Sequence, residues 1–293
     1  MNDIARLIAE AALGRDPGPL DRAKSLSHRV FVGADVVVKL IHTDRHSRLR
    51  REIALAPLLP AGITAPLLAS GQHEDLRYAI YTRVPGTAPG LHLPDTDATT
   101  ARKLAEQAVA RLERLHNWQP ESTEILTEEL DHGGFTGREP FLAEIERLEQ
   151  ADRDKIVPAR IVKGLKEIAD RAPARAAAAV PVHADCHWAN WLADGDTVTA
   201  LLDFEWARLA EPFEDWFFLI RFSGPHMAAV LDIVTEQTGL PADELRAACE
   251  VRDANYGATD VRLTLEGDPD AGTGTLAGLE EIVNGYWWSS SRA

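Results

Sequence analysis

The chain has 293 residues, 45% of them hydrophobic, and a formal net charge of -15. This length suits one large domain or two modest ones, and the apolar content is ample for a core. Two cysteines, Cys186 and Cys249, are too few for a disulfide framework, which favours a reducing compartment. No stretch resembles a secretory signal, and no apolar run reaches the ~18 residues of a membrane-spanning helix. We therefore expect a cytoplasmic protein without a membrane partner.

The charge is unevenly distributed along the chain. Residues 1–86 hold 12 basic and 9 acidic side chains, whereas residues 87–293 hold 19 basic and 37 acidic ones. Acidic residues cluster at 121–131, 203–215 and 266–270. Such a field repels nucleic acid and attracts cations, although an acidic surface also serves plain solubility. We expect no nucleic-acid partner and a cationic ligand for the second part.

The first part alternates short strands with helices. Helices are predicted at 2–13 and 45–59, a hairpin around Gly33 within Arg29–Ile41, and strands at 66–70 and 77–83. Pro85-Gly86 and the proline-rich stretch 87–94 then mark a domain boundary.

The second part is mainly helical. Helices are predicted at 96–117, 138–152 and 158–178, with an irregular segment at 118–137. Three short strands follow, Val180–His183, Trp191–Ala193 and Val198–Asp203. Residues 212–290 are mostly helix, with turns near 224–225, 239 and 267–274.

Five side chains match what phosphoryl transfer from ATP requires. Lys39 follows three valines on a strand, and Glu52 lies on the next predicted helix. Asp185 and Asn190 belong to the polar loop HADCHWAN, and Asp203 ends the third short strand. The reaction needs a cation on the phosphates, a carboxylate to hold that cation, a base near the acceptor hydroxyl and hard oxygen ligands for Mg²⁺. The order of these residues therefore indicates a kinase-type site.

These residues resemble the motifs of the aminoglycoside phosphotransferase family, the small-molecule branch of the protein-kinase-like fold. HADCHWAN is similar to the family's H-G-D-x-x-x-x-N loop, and DFE to its D-[FW]-E. EPFEDWFFLI resembles its D-P-x-x-D segment, LERLH its L-x-x-L-H helix end and RVPG its V-P-G hinge. The resemblance covers residues 25–220 in the family's order. It implies an α+β, two-lobed fold, with an N-terminal antiparallel-sheet lobe at 1–84 and a larger helical C-terminal lobe at 85–293.

The resemblance implies a role for each of the five side chains. Asp185 is expected to orient or receive the proton of the acceptor hydroxyl, as the catalytic residue. Asn190 and Asp203 are expected to bind Mg²⁺. Lys39 is expected to contact the α and β phosphates of ATP, with Glu52 as its ion-pair partner.

Further residues are matched by position. Ser27 lies in KSLSHRVFV, which replaces the glycine-rich loop of protein kinases, so GTP is kept as an alternative to ATP. Backbone groups of Thr82 and Val84 are expected to contact the purine. His187 and the pair Glu205-Trp206 are assigned to the substrate side. Two residues are expected to support the loop structurally, His183 and Asp215.

Each assignment has an ordinary structural alternative. Lys39 would face solvent on an edge strand, and Glu52 would join a surface salt bridge. Asp185 and Asp203 would cap turns. The histidines and cysteine of HADCHWAN show no zinc-binding spacing, so no zinc site is expected there. Four nearby tryptophans are expected to be mostly core: Trp188, Trp191, Trp206 and Trp216.

The implied function is an ATP-dependent O-phosphotransferase that moves the γ-phosphate to a hydroxyl of a cationic small molecule. Aminoglycosides or basic tuberactinomycin-type peptides fit the acidic second part, which would give antibiotic resistance. A metabolite kinase for a sugar, a choline-like amino alcohol or homoserine is the alternative, and a non-catalytic nucleotide-binding module is a remote one. A protein kinase is not expected, because the H-R-D arginine and the D-F-G and A-P-E segments are missing. The assembly is expected to be a monomer or homodimer.

Overall fold

The structure is a computed structural model that describes residues 2–25, 27–93, 96–130, 134–268 and 274–289. We call its first part, α1 through β5, the N-terminal lobe. The elements of this lobe are α1 Asn2–Leu13, β1 Asp21–Ala23, β2 Arg29–Val32, β3 Val36–His42, α2 Arg48–Leu55, β4 Leu67–His73 and β5 Leu76–Thr82.

The N-terminal lobe is built on an antiparallel sheet with the strand order β1-β2-β3-β5-β4. The predicted hairpin around Gly33 is confirmed, because β2 and β3 pair antiparallel and Gly33 N–H donates to Val36 O at 2.8 Å. Successive side chains of a strand point to opposite faces. Val38 and Leu40 are therefore buried against α1 on one face, in a cluster with Ile8. Lys39, between them, emerges on the opposite face.

We call the second part, α3 through α10, the C-terminal lobe. Its helices are α3 Ala98–His116, α4 Glu124–Thr127, α5 Arg138–Ala151, α6 Ala159–Arg171, α7 Phe213–Arg221, α8 Met227–Thr238, α9 Ala242–Glu266 and α10 Leu276–Val283. Its strands are β6 Val180–Val182, β7 Trp191–Asp194, β8 Thr197–Leu201 and β9 Arg208–Ala210, which form two small sheets, β6-β9 and β7-β8. The α+β, two-lobed prediction is confirmed.

Several helix boundaries predicted from the sequence differ from those in the structure. The helix predicted at 45–59 begins at Arg48 and ends at Leu55, and the one predicted at 158–178 ends at Arg171, two residues before Pro173. The three-residue strands β1 and β9 and the one-turn helix α4 went unpredicted, because such short elements carry too few residues for a periodic pattern. The turn predicted at 267–274 begins where Gly267 ends α9 with φ 74°, while residues 269–273 lie outside the described residues.

The two lobes share buried contacts. Leu55 and Ile63, which precede β4, belong to the same apolar cluster as the core of the C-terminal lobe. Leu201 N–H donates to Ile63 O at 2.9 Å. After β5 the chain continues to Thr87, which exchanges two backbone hydrogen bonds with Ala193 of β7, at 2.9 and 3.0 Å.

Across the described ranges, no single helix is long and apolar enough to cross a membrane. Only the pair Phe213–Arg221 and Gly224–Thr238 meets the length and composition test, when both are taken together across a bend of 117°.

Candidate active site

Lys39 lies at the centre of a buried charge cluster between the lobes. The side chain alternation of β3 directs it away from α1 and toward α2. Its Nζ donates to Glu52 Oε2 at 2.7 Å and to Asp203 Oδ1 at 3.0 Å. Burial alone would lower the pKa of Lys39, but the carboxylates of Asp203, Glu52 and Glu205 outweigh burial and raise it. The predicted Lys39–Glu52 pair is confirmed as a contact, and the solvent-facing alternative for Lys39 is wrong.

The backbone places Asp203 at the edge of the cleft. Strand β8 ends at Leu201, and Asp203 adopts a left-handed conformation with φ 70°. This turn directs the carboxylate back toward Lys39. Burial would raise the pKa of Asp203, but Lys39 lowers it below its usual range. The carboxylate is therefore ionised at neutral pH, as a cation ligand must be.

Residues 183–190, the HADCHWAN loop between β6 and β7, are called the catalytic loop here after their expected role. This loop is fixed by the buried carboxylate of Asp215 at the start of α7. Asp215 Oδ2 accepts from His183 N–H at 3.0 Å, and Oδ1 accepts from Ala184 N–H at 2.7 Å. His116, at the end of α3, contacts Oδ2 at 2.9 Å. His183 adds a contact from Nε2 to Leu202 O at 2.8 Å. Both residues thus hold the loop in place, consistent with the predicted supporting role.

Asp185 and Asn190 face each other across the catalytic loop. Asn190 Nδ2 donates to Asp185 O at 2.7 Å and to Asp185 Oδ2 at 3.1 Å. Burial and the charge of Asp203 raise the pKa of Asp185 well above that of an ordinary aspartate. A carboxylate with this shift, in a cleft beside a second carboxylate, is typical of a functional group rather than a turn cap.

A single backbone hydrogen bond brings Asn190 next to Asp203. Leu202 N–H, one residue before Asp203, donates to Asn190 O at 2.8 Å. Because the amide nitrogen of Asn190 serves Asp185, its amide oxygen is the atom left to act as a ligand. An ionised carboxylate and an amide oxygen on adjoining loops fit the oxygen-only preference of Mg²⁺.

Ser27 of the N-terminal lobe contacts Glu205 of the C-terminal lobe. Ser27 Oγ donates to Glu205 Oε1 at 3.5 Å and contacts His28 Nδ1 at 2.9 Å. Burial and the charge of Asp203 raise the pKa of Glu205 to about 9, while burial lowers the pKa of His28 to about 3. Trp206 lies under the guanidinium of Arg48, 4.5 Å from Cζ to the ring centroid. Both Glu205 and Trp206 therefore contact the N-terminal lobe, and their assignment to substrate stays a prediction.

The connector after β5 contacts both lobes. Thr82 N–H is committed to Pro66 O at 2.9 Å. Val84 packs against a small cluster that contains Tyr81, beside Leu202 of the C-terminal lobe. Purine contacts at Thr82 and Val84 are compatible with this placement and stay predictions.

His187 stands beside Asp185 at the partly exposed edge of the loop. Its Nε2 is 3.5 Å from Asp185 Oδ1, and the two side chains are 21% and 25% exposed. Burial lowers the pKa of His187 to about 4, so the ring is neutral at physiological pH. Phe222 and His92 extend the edge, with the His187 and Phe222 ring centroids 5.8 Å apart and those of His92 and Phe222 stacked at 5.4 Å. Asp185 and His187 are therefore both partly accessible to solvent at this edge of the loop.

The family comparison agrees with this geometry. Residues 22–250 match the model of the phosphotransferase enzyme family, APH. The chain belongs to this family. It is therefore a phosphotransferase, an enzyme of the kinase type, and the resemblance given by its motifs is confirmed. A search of curated protein sequences found no match.

Solved structures of other phosphotransferases share the fold over nearly the whole chain. The GDP complex of aminoglycoside 2'-phosphotransferase-IIIa has a TM-score of 0.70 at 16% identity, covering 97% of this chain and 98% of that one. A thermostable mutant of APH(4)-Ia, in a ternary complex with AMP-PNP and hygromycin B, has a TM-score of 0.67 at 20% identity, covering 98% and 100%. The streptomycin–ATP–APH(2")-IIa complex has a TM-score of 0.63 at 15% identity, covering 97% and 96%.

Sequence reasoning missed the residue that docks α2 of this phosphotransferase. Arg51, beside Glu52, donates from Nη1 to Ala207 O at 2.9 Å and from Nη2 to Glu128 O at 2.7 Å. Its side chain is buried, which an arginine in a basic stretch does not signal. His46 and Arg48 were not predicted either, because nothing in their polar stretch of sequence signals that their side chains are buried.

The acidic clusters of the sequence differ in how many of their carboxylates pair with a basic or imidazole side chain of the same chain. Every acidic residue within 203–215 contacts a basic or imidazole side chain of the same chain: Asp203 with Lys39, Glu205 with His28, Glu211 with Arg252, Glu214 with Arg208 and Asp215 with His116. Within 121–131, Glu128 pairs with Arg50. Asp131 and Asp270 lie outside the described residues. The argument for a cationic substrate therefore depends on 121–129 and not on 203–215.

The tryptophan prediction holds for three of four positions. Trp188, Trp191 and Trp216 are buried, whereas Trp206 is half-buried at the lobe contact. Trp188 Nε1 donates to Ser223 Oγ and Trp191 Nε1 to Cys186 O, each at 2.9 Å. These two hydrogen bonds of buried indoles thus stabilise the catalytic loop on its buried side.

Proposed function

We propose that this phosphotransferase moves the γ-phosphate of ATP to a hydroxyl group of a cationic small molecule, most specifically a basic antibiotic. In this proposal Lys39 contacts the α and β phosphates, Glu52 orients Lys39, and the bend at Ser27 covers the phosphates. Thr82 and Val84 contact the purine. The lobes meet at the connector, with 1–84 binding nucleotide and 85–293 carrying the catalytic loop and the substrate cleft.

The observation that carries the proposal is the convergence of Lys39, Asp203 and the Asp185–Asn190 pair. Lys39 of β3 contacts Asp203 in the turn after β8, Asn190 contacts Asp185 within the catalytic loop, and the charge of Asp203 acts on Asp185. A bound Mg²⁺, held by Asp203 and Asn190, would neutralise charge on the phosphates. The protein's own part is to align the phosphates and to orient the acceptor hydroxyl toward them.

Asp185 acts on the acceptor hydroxyl. The loose transition state of phosphoryl transfer demands little deprotonation, so a carboxylate suffices to orient the hydroxyl and to accept its proton late. Asn190 holds one oxygen of Asp185, and the other oxygen faces His187 at the open edge. We place the acceptor hydroxyl at that edge.

The substrate class follows from charge and from the named ligands of structural neighbours. The C-terminal lobe keeps exposed acids at 121–124, and two of the neighbours bind hygromycin B or streptomycin. Aminoglycosides and tuberactinomycin-type peptides are therefore the first candidates, which would make the enzyme a resistance determinant. A kinase for choline-like amino alcohols, homoserine or sugars is the second candidate, since the family model itself specifies no acceptor.

A nucleotide-consumption screen tests the proposal. The acceptors are aminoglycosides, tuberactinomycins, choline, homoserine and neutral sugars, each with ATP and with GTP. We expect turnover of at least one cationic antibiotic. Turnover of a neutral sugar alone would reject the substrate class and keep the kinase chemistry, whereas nucleotide binding without turnover of any acceptor would favour a non-catalytic module.

A matched pair of variants tests the catalytic assignment. Asp185→Asn should lose at least about 10²-fold in kcat, because the proton acceptor is gone. Asp194→Asn changes an exposed carboxylate at the end of β7, the strand that follows the loop, and should retain wild-type kcat. Nucleotide affinity should be similar in both, since neither residue is assigned to the purine or the α and β phosphates. Equal kcat values would reject Asp185 as the catalytic residue.

A further inference from the structure

Three side chains of metal-binding type converge behind the phosphate-covering bend. His28 belongs to the bend before β2, His46 to the turn before α2, and Glu205 to the segment after Asp203. One ligand atom from each lies within 4.8 Å of the other two. Glu205 Oε2 is 3.6 Å from His28 Nε2 and 4.0 Å from His46 Nδ1. Ligand atoms about 2.0–2.2 Å from a tetrahedral ion stand roughly 3.4 Å apart. Small side-chain shifts therefore suffice to bring all three onto one ion.

Among the described residues, His28 and Glu205 each contribute to the cluster a buried polar atom without a hydrogen bond. The side chains of His28, His46 and Glu205 are 0%, 4% and 4% exposed. Buried side-chain polar atoms are nearly always hydrogen-bonded. Within the described part of the chain, His28 Nε2 and Glu205 Oε2 have no hydrogen bond and face each other. His183, by contrast, directs its Nε2 to the carbonyl of Leu202, as a structural histidine does.

The donor set distinguishes this cluster from the Mg²⁺ ligands. Two imidazoles and one carboxylate favour zinc or a similar divalent ion, whereas Mg²⁺ prefers oxygen ligands alone. Arg48 forms an ion pair with Glu205, with Nε 3.7 Å from Oε2. That distance exceeds a hydrogen bond. The guanidinium of Arg48 lies over Trp206 instead.

We propose that His28, His46 and Glu205 form a zinc-type metal site that ties the phosphate-covering bend and the start of α2 to the segment after Asp203. Three protein ligands leave a fourth position for water. Because the ligands come from both lobes, the ion cross-links them. The site goes beyond the proposed function and does not depend on it, since nucleotide binding and phosphoryl transfer are assigned to other side chains.

Zinc binding to the chelator-stripped full chain tests the site. Excess Mg²⁺ is present throughout, so that the Asn190–Asp203 ligands are occupied. Elemental analysis after gel filtration should find one zinc per chain. Thermal unfolding should shift upward by about 5 °C at a hundredfold excess of zinc over its Kd. His28→Gln and His46→Gln should each weaken zinc binding at least tenfold, whereas His42→Gln, which changes a histidine paired with Asp75 on the same lobe, should bind as the wild type does.

A cysteine substitution at one of the proposed metal ligands tests the site even if the glutamine variants fail to fold. His46→Cys keeps a metal ligand at the same position and should add a thiolate-to-cobalt charge-transfer band to the spectrum of the Co²⁺-loaded protein. A wild-type chain that binds no zinc, or a double variant of His28→Gln and His46→Gln that still binds one, would overturn the site. A Co²⁺ complex of His46→Cys without the sulfur band would overturn it too. None of these readouts uses phosphotransferase activity, so a failed metal site and a failed proposed function are distinguishable.

Discussion

Replacing Asp215 by asparagine probes the scaffold that holds the catalytic loop. The carboxylate is fully buried and accepts the backbone N–H groups of His183 and Ala184, at 3.0 and 2.7 Å, one on each oxygen. Asparagine keeps the shape but offers one carbonyl oxygen and one NH₂ donor. One of the two backbone N–H groups would then face the NH₂ group of the asparagine, which is also a donor. Because the site is buried, no water could accept the hydrogen bond instead. The charge that supports the contact from His116 would also be lost.

The magnitude follows from these contacts. A buried donor without an acceptor costs about 1–3 kcal/mol, and a hydrogen bond to a charged group contributes about 1.5–3 kcal/mol. Together they predict that Asp215→Asn lowers the free energy of unfolding by about 2.5–6 kcal/mol, a large share of the 5–15 kcal/mol typical of a domain. Chemical denaturation followed by circular dichroism measures the change. Asp232→Asn, at an exposed position of α8, should stay within about 0.5 kcal/mol of the wild type. Equal unfolding free energies for the two variants would refute the reasoning.

The same carboxylate makes stability depend on pH. Burial alone would raise the pKa of Asp215, but the contacts from His116 and the loop amides lower it below its usual value. Because the folded-state pKa is depressed, the stabilisation is complete above the unfolded-state pKa of about 3.9 and is lost as the pH falls through the folded-state pKa. The difference in unfolding free energy between the wild type and Asp215→Asn should therefore shrink below about pH 4. A difference that stays constant there would contradict the assigned contacts.

Three further predictions concern the cleft and the connector. Lys39→Met should lower kcat/KM by at least about 10³-fold, because the phosphates lose their cation; fold retention is checked by circular dichroism. His187→Ala should lower kcat about tenfold with an unchanged Kd for nucleotide, because His187 lies 3.5 Å from Asp185, the proposed catalytic carboxylate, and is not among the residues assigned to nucleotide. Gly86→Ala should lower the free energy of unfolding by about 2–4 kcal/mol, because Gly86 has φ 107° and an added Cβ would lie 2.6 Å from Ala193 O. The control is Gly62→Ala. Gly62 has φ 76° with nothing within 4 Å of an added Cβ, so this change should cost only about 1 kcal/mol.

The sequence predicted the parts of the site that depend on short-range patterns. The run of three valines before Lys39 predicted a half-buried strand that carries this lysine, and the motif spacing placed Asp185 and Asn190 on one loop. The family motifs also indicated Asp203, but the strand pattern extended β8 to that residue. In the structure Asp203 leaves the strand and adopts φ 70°, a conformation that periodicity does not reveal. Contacts between distant segments were not predictable, because Glu205 and His28 are 177 positions apart and carry no local signal of their contact.

Helix α2 shows why the lobe contact matters for chemistry. The helix carries Glu52, so its position decides whether Lys39 has a second carboxylate partner besides Asp203. Arg51 fixes α2 to two backbone carbonyls of the C-terminal lobe, and Leu55 packs into the core of that lobe. A rotation of α2 that moved Glu52 away from Lys39 would leave the buried guanidinium of Arg51 without its two carbonyl acceptors and would expose Leu55. Both changes cost free energy. The Lys39–Glu52 pair is thus built into the packing of the folded chain, and an enzyme of this design needs no separate activating event to assemble it.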